Sequence, residues 1–229
     1  MVQSCTLTMS ELFHVLNRGV DKRIIFTDDR DRARFVHDMW EFNDSRQVEN
    51  IRRRVANSPM TDFVSPSLKE RTVDIHGWCL MGNHYHLLLS EVSEGGMTNF
   101  IRRLNIGYSK YFNERHKRCG TLFQGRTKKI LIDTDAHFLH ILNYIHLNPL
   151  DMMPQEKNWR AHKVRDAGAC LAHLKQYRWS SYQDYCGIKN FPSVLTTDLF
   201  GEVFGNYTKK IRSYLQDMDT GALKRYDLE

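Results

Sequence analysis

No stretch of this 229-residue chain reaches about 18 consecutive apolar residues, and no basic segment followed by an uninterrupted hydrophobic run stands at its start. A membrane span and a secretory leader are therefore not expected, and a cytoplasmic location is. Cysteine is sparse and unpatterned: Cys5, Cys79, Cys119, Cys170 and Cys186 are odd in number, and none falls in a C-x-x-C pair. That spacing argues against both a disulfide framework and a cysteine zinc site and predicts reduced thiols. H-E-x-x-H and a second carboxylate-rich motif are absent, so nothing supports a metal-dependent hydrolase of a small substrate, and no internal repeat points to a solenoid. What remains is a chain with 41% apolar and 11% aromatic residues, enough for one large domain or a domain with appendages.

The formal net charge of +6 is unevenly spread. Between Met97 and Lys129 lie Arg102, Arg103, Lys110, Arg115, Lys117, Arg118, Arg126, Lys128 and Lys129, against the single acid Glu114. That window carries +8 (nine cations less one anion), which leaves −2 for the rest of the chain. Such a run is either a solvated helix face or a surface for phosphates, and its excess over the whole protein's charge favours a polyanion partner.

Local patterning alternates strand and helix. A strand is expected from Glu11 to Leu16, then a turn at Asn17–Asp21 and an amphipathic helix from Asp29 to Phe42 with acids at its start. Residues 43–69 lose periodicity and read as a long, mobile connection that carries Arg52-Arg53-Arg54. Strands follow at Thr72–Leu80 and Tyr85–Ser90. The next helix, from Met97 to Lys117, should bury Met97, Ile101, Leu104, Tyr108, Tyr111 and Phe112. Thr121–Ile132 is a further strand candidate, and Asp133 or Thr134 can cap a helix that stops at Pro149. This order predicts an α+β sandwich, with helices laid on an antiparallel sheet. Beyond Pro149 the pattern is less regular, and the tail either packs on the core or extends a binding surface.

One short segment carries chemistry. In Gly82-Asn83-His84-Tyr85-His86, strand alternation puts His84 and His86 on one face and Tyr85 on the other. Either histidine alone reads as a hydrogen-bonded core residue; together they are half of a metal site. Downstream, Tyr144 and Asn148 are four apart and share a helix face with His137 and His140. Asn148 can cap its own helix and Tyr144 can be an ordinary half-buried aromatic. If that face docks on the histidine pair, two imidazoles, a phenol and an amide oxygen converge on one ion. His140 suits packing better than proton transfer, because no geometric partner for it is evident.

The stretches Phe13-His14-Val15-Leu16-Asn17-Arg18-Gly19, Trp78-Cys79-Leu80-Met81-Gly82-Asn83-His84-Tyr85-His86-Leu87-Leu88, Tyr111-Phe112-Asn113, Leu122-Phe123-Gln124-Gly125-Arg126, Tyr144-Ile145-His146-Leu147-Asn148-Pro149 and Trp179-Ser180-Ser181-Tyr182 resemble the HUH single-tyrosine transposases. Within that family they are most similar to the REP-associated tyrosine transposases of bacteria. The resemblance implies a ferredoxin-like or RRM-like sheet with helices on one face. It implies a catalytic domain over residues 11–150, interrupted near 43–70, and a C-terminal extension over 151–229. It also implies Tyr144 as nucleophile, and His84, His86 and Asn148 as ligands of Mg²⁺ or Mn²⁺. The implied reaction is cleavage and strand transfer of single-stranded, hairpin-bearing DNA through a 5′-phosphotyrosine, by a monomer rather than a homodimer. Arg18, Arg102, Arg103, Lys110, Arg115, Arg126, Lys128 and Lys129 would hold the DNA backbone, and Tyr182 could stack an unpaired base. A domesticated, non-catalytic binder of structured DNA or RNA is the alternative. The connection at 43–69 and the segments after Pro149 are longer than a minimal member of this family would need.

Overall fold

The computed structural model describes residues 11–45, 70–156, 159–161 and 164–216. Strands β1 (Leu12–Arg18), β2 (Val73–Leu80), β3 (His84–Glu91) and β4 (Lys128–Leu131) form one sheet in the order β2-β3-β1-β4. Every neighbouring pair is antiparallel. Helix α1 (Asp29–Phe42) connects β1 to β2, and α2 (Gly96–Arg115) connects β3 to β4. The result is the βαββαβ ferredoxin-like arrangement. Helix α3 (Asp135–Leu147) follows β4 and runs into a 3-10 turn at Asn148–Met152.

The sheet is covered on both faces, which corrects the one-faced arrangement implied by resemblance. Val15, Tyr85, Leu87 and Leu89 pack under α1 and α2, against Phe35, Met39, Phe100, Leu104 and Tyr108. On the other face, Leu12, Cys79 and Leu88 meet Ile141, Leu142 and Ile145 of α3. Cover on both sides explains why β2 and β3 are buried at nearly every position instead of on alternate ones, polar residues such as His76, His86 and Ser90 included. Each buried Leu or Phe contributes about 1.5–3 kcal/mol, so both layers have sufficient cause to stay closed.

The tail packs on the α3 side. Helices α4 (Ala167–Gln176), α5 (Tyr182–Tyr185), α6 (Asp198–Phe204) and α7 (Tyr207–Gln216) contribute Cys170, Leu171, Leu174, Tyr182, Phe200, Tyr207 and Ile211 to the second core. Leading into α5, the backbone of Trp179–Ser181 pairs with β2: Leu80 N donates to Trp179 O at 2.9 Å and Ser181 N to Trp78 O at 3.0 Å. Tyr182 is consequently fully buried and cannot stack on a base, contrary to the sequence expectation. Polar bonds fix α3 against this extension. His146 is bonded to Tyr207 Oη and to Ser181 Oγ, both at 2.7 Å, and Tyr207 Oη donates to Asn143 Oδ1 at 3.1 Å.

Several boundaries differ from those read in the sequence. β1 runs on through Asn17 and Arg18, because these residues pair with Tyr85 and His84. The expected long strand from Thr121 shrinks to Lys128–Leu131. Its first part is a loop held by Gln124 N donating to Arg18 O, with Gly125 in the left-handed region at φ 63°. Thr134 caps α3 by accepting from His137 N. Pro149 redirects that helix into the 3-10 turn instead of stopping the chain's helical course. Most of the 43–69 connection, with Arg52-Arg53-Arg54, lies outside the described residues.

Candidate active site

Alternation along β3 points His84 and His86 toward α3, and the β1–β3 register sets Arg18 opposite His84 and Leu16 opposite His86. The two imidazoles have centroids 4.9 Å apart and nearly perpendicular planes. Close approach of α3 to the sheet then brings Tyr144 onto them. A Cβ on Gly77 of β2 would lie 2.6 Å from Leu142 Cδ1, so a glycine is what admits the helix at this height. The half-buried Tyr144 ring stands edge-on to His86 at 5.8 Å and to a third histidine, His14 of β1, at 6.0 Å.

The three imidazoles are held neutral. Burial pulls His84 down to about 4 and His14 to about 3, and burial reinforced by His84 and His14 lowers His86 well below its ordinary value. Nε2 of His84 and Nε2 of His86 are buried without a hydrogen-bond partner. Nδ1 of His84 is held by Asn83 Oδ1 at 2.6 Å, and Nδ1 of His86 by His14 Nε2 at 2.9 Å. Buried polar atoms are normally satisfied, and neutral imidazoles with buried lone-pair positions are what a divalent ion requires. His84 and His86 therefore fit a metal.

Asn148 sits fully buried one turn beyond Tyr144, its Nδ2 donating to Tyr144 O at 2.9 Å. Its oxygen accepts from Arg160 at 3.0 Å, so in this conformation the third predicted ligand atom already has a cationic partner. Arg160 also bonds Asp151, lies over the Trp159 ring at 4.5 Å and is 5.9 Å from the centre of the Tyr144 ring. A cleft of about 350 Å³ opens beside the pair, lined by His84, His86 and Asp151 and by the cations Arg18, Lys22, Arg126 and Lys128.

Of the eight predicted nucleic-acid contacts, Arg18, Arg126 and Lys128 reach this cleft. Lys129, the next residue along β4, points to the other face and donates to Thr98 Oγ1 at 2.9 Å. Arg103 donates to the carbonyl of Asp44 at 2.8 Å, and Arg115 forms ion pairs with Asp28 and Asp31. Arg102 and Lys110 are exposed along α2. His140 packs on Tyr214 at 5.4 Å. Sequence reasoning missed His14, Lys22, Asp151 and Arg160. His14 had a signal, a histidine in step with Leu12 and Leu16 on a buried strand face; Arg160 lies in an aperiodic segment and had none. A separate group, His37, Asp38 and Glu41 on α1, is close enough to hold a cation, but shares no residue with the cleft.

The fold and the cleft define an α+β protein with a tyrosine set against a histidine pair. Residues 35–148, which run from α1 through Asn148, match the family model described as Transposase IS200 like, and the chain belongs to that family. A solved structure of a REP-associated tyrosine transposase bound to a REP hairpin aligns with 83% of this chain and 87% of the other, at 14% identity and a TM-score of 0.44. No curated protein matches the chain.

Proposed function

We propose that this protein is a metal-dependent single-stranded DNA endonuclease and strand transferase of the REP-associated kind, acting on hairpin-bearing DNA. The observation that carries the reading is the Tyr144 ring packed on His86, with His84 Nε2 and His86 Nε2 buried, neutral and unpartnered beside it. A divalent ion, Mg²⁺ or Mn²⁺, held by His84, His86 and Asn148 would polarise the scissile phosphate. Arg18, Lys22, Arg126 and Lys128 neutralise the strand on either side of it. Tyr144 Oη attacks phosphorus in line as its proton passes to water. The P–O3′ bond breaks, the 3′ oxygen takes a proton from water and leaves as a hydroxyl, and the 5′ phosphate stays on the tyrosine. Attack by another 3′-hydroxyl reverses these events and joins two strands without ATP.

In this reading residues 11–150 are the catalytic unit, residues 151–229 are a C-terminal extension whose described helices buttress α3, and the protein works in the cytoplasm as a monomer. The test incubates wild type and Tyr144→Phe with labelled hairpin strands from the DNA flanking the gene, in Mn²⁺ or EDTA, followed by denaturing gels. A Mn²⁺-dependent covalent adduct absent from the phenylalanine variant is the expected result. Salt-sensitive binding without any adduct would favour a second reading, a domesticated binder of structured DNA or RNA. The Arg160 contact on the Asn148 oxygen is the one observation on that side.

A further inference from the structure

His14 has no part in the reaction just described, yet it is as buried as His86 and joined to it. The rings lie 5.1 Å apart with planes 16° from parallel, and His14 Nε2 is 2.9 Å from His86 Nδ1. A nitrogen–nitrogen contact this short holds one proton, because two lone pairs would repel and two N–H groups would collide. The proton lies either on His86 Nδ1, donating to His14, or on His14 Nε2, donating to His86. These arrangements differ in consequence. A neutral imidazole has one N–H and one lone pair, so the first leaves the lone pair on His86 Nε2 and the second puts a proton there. Without an ion the two are nearly balanced: each strands one N–H, either at His14 Nδ1 or at His86 Nε2, and both atoms are buried without a partner. A cation at His86 Nε2 breaks that balance in favour of the first.

We propose that His14 is a positioning residue for the metal centre: it accepts the Nδ1 proton of His86 and so fixes the tautomer and ring orientation in which His86 Nε2 ligates a divalent ion. The inference rests on the metal reading of the site and adds a residue to it. The backbone suits the role, since His14 sits in the middle of β1, paired with Leu88 on one side and Ile130 on the other, with little freedom to move. Partners of this kind raise ligand basicity and hold the ring in place.

Because His14 also touches Tyr144, the test reads metal affinity and not cleavage. Mn²⁺ is titrated into purified full-length wild type, His14→Leu, His14→Gln and His84→Ala without DNA. Loss of the acceptor in His14→Leu should weaken Mn²⁺ about 10–100-fold, whereas His14→Gln, whose Oε1 reaches the same place and accepts the same bond, should stay within about threefold. Equal weakening in both His14 variants, or none in His14→Leu, overturns the proposal while leaving the metal site intact. Mn²⁺ binding that is indifferent to His84→Ala removes the metal reading itself, and this inference with it. If His14→Leu does not fold, ring-nitrogen NMR of wild type with Mg²⁺ decides the matter: a proton on His86 Nδ1 supports the role, and one on Nε2 overturns it.

Discussion

Arg160 donates to the side-chain oxygen of Asn148 at 3.0 Å, so an arginine from the C-terminal extension holds the oxygen proposed as a metal ligand. Guanidinium and metal cannot share that atom's lone pairs with equal ease, and their charges repel. Arg160→Ala should therefore tighten Mn²⁺ about three- to tenfold, the equivalent of one hydrogen bond of about 0.7–1.4 kcal/mol. Calorimetric titration of both proteins checks this, and weaker binding in the variant would mean that Arg160 supports the site instead of competing for it.

Acid should loosen the fold through its buried histidines. His14 and His146 are each lowered to about 3 by burial. The unfolded chain takes up these protons below about 6.5, and the folded chain does not until far lower. Between those values the unfolded state binds more protons, so stability present above pH 6.5 is lost as pH falls, by about 1.4 kcal/mol per unit per histidine within the window. Urea midpoints at pH 7.5, 6 and 5 should decline accordingly. His146→Gln should flatten the slope by about one proton; an unchanged slope would place the titration elsewhere.

The cations divide by surface. Arg126→Ala and Lys128→Ala should weaken single-stranded DNA binding across sequences and each lower the salt slope by about 0.7, with melting temperature unchanged. Arg115→Ala should do the reverse. It takes the arginine from Asp31, whose side chain is 0% exposed and is left with Thr27 and His116 as partners, and so lowers the melting temperature while the salt slope stays as it was. Fluorescence anisotropy over a salt series, with thermal melts, separates the two groups.

Gly77→Ala should disturb the proposed nucleophile, Tyr144, from beneath. The added carbon would meet Leu142 Cδ1 at 2.6 Å, two residues before Tyr144. We expect a loss of about 1–3 kcal/mol in stability from overpacking and a larger fall in adduct formation than in DNA binding. Equal falls would show that α3 absorbs the methyl by a local rotamer change.

Helices α1 and α2 and the shared faces of the histidine pair and of Tyr144 with Asn148 were legible because each rests on a repeat of two or about 3.6 residues, while β2 and β3 were legible as strand-like runs on either side of the tight Met81-Gly82-Asn83 segment. The buried stripe Met97, Ile101, Leu104, Tyr108 and Phe112 is the clearest case, and only Tyr111 stays partly exposed. The start of β4 was misread because Thr121–Thr127 has strand-like composition, while its backbone is held by a loop around Gly125 and by Arg18.

By itself the sequence determined the element order, the shared face of His84 and His86 on β3 and the helical turn carrying Tyr144 and Asn148, since those follow from side-chain direction along a single element. Only the tertiary structure decided that the sheet is covered twice, that Tyr182 is core, that Lys128 faces the cleft while Lys129 does not contribute to it, and that His14 and Arg160 stand beside the proposed ligands. His14 and His86 are 72 residues apart, and strand register, not local periodicity, brings them together. Contacts across such distances depend on how separate faces pack, and packing leaves no repeat in the chain for a reader of residues to find.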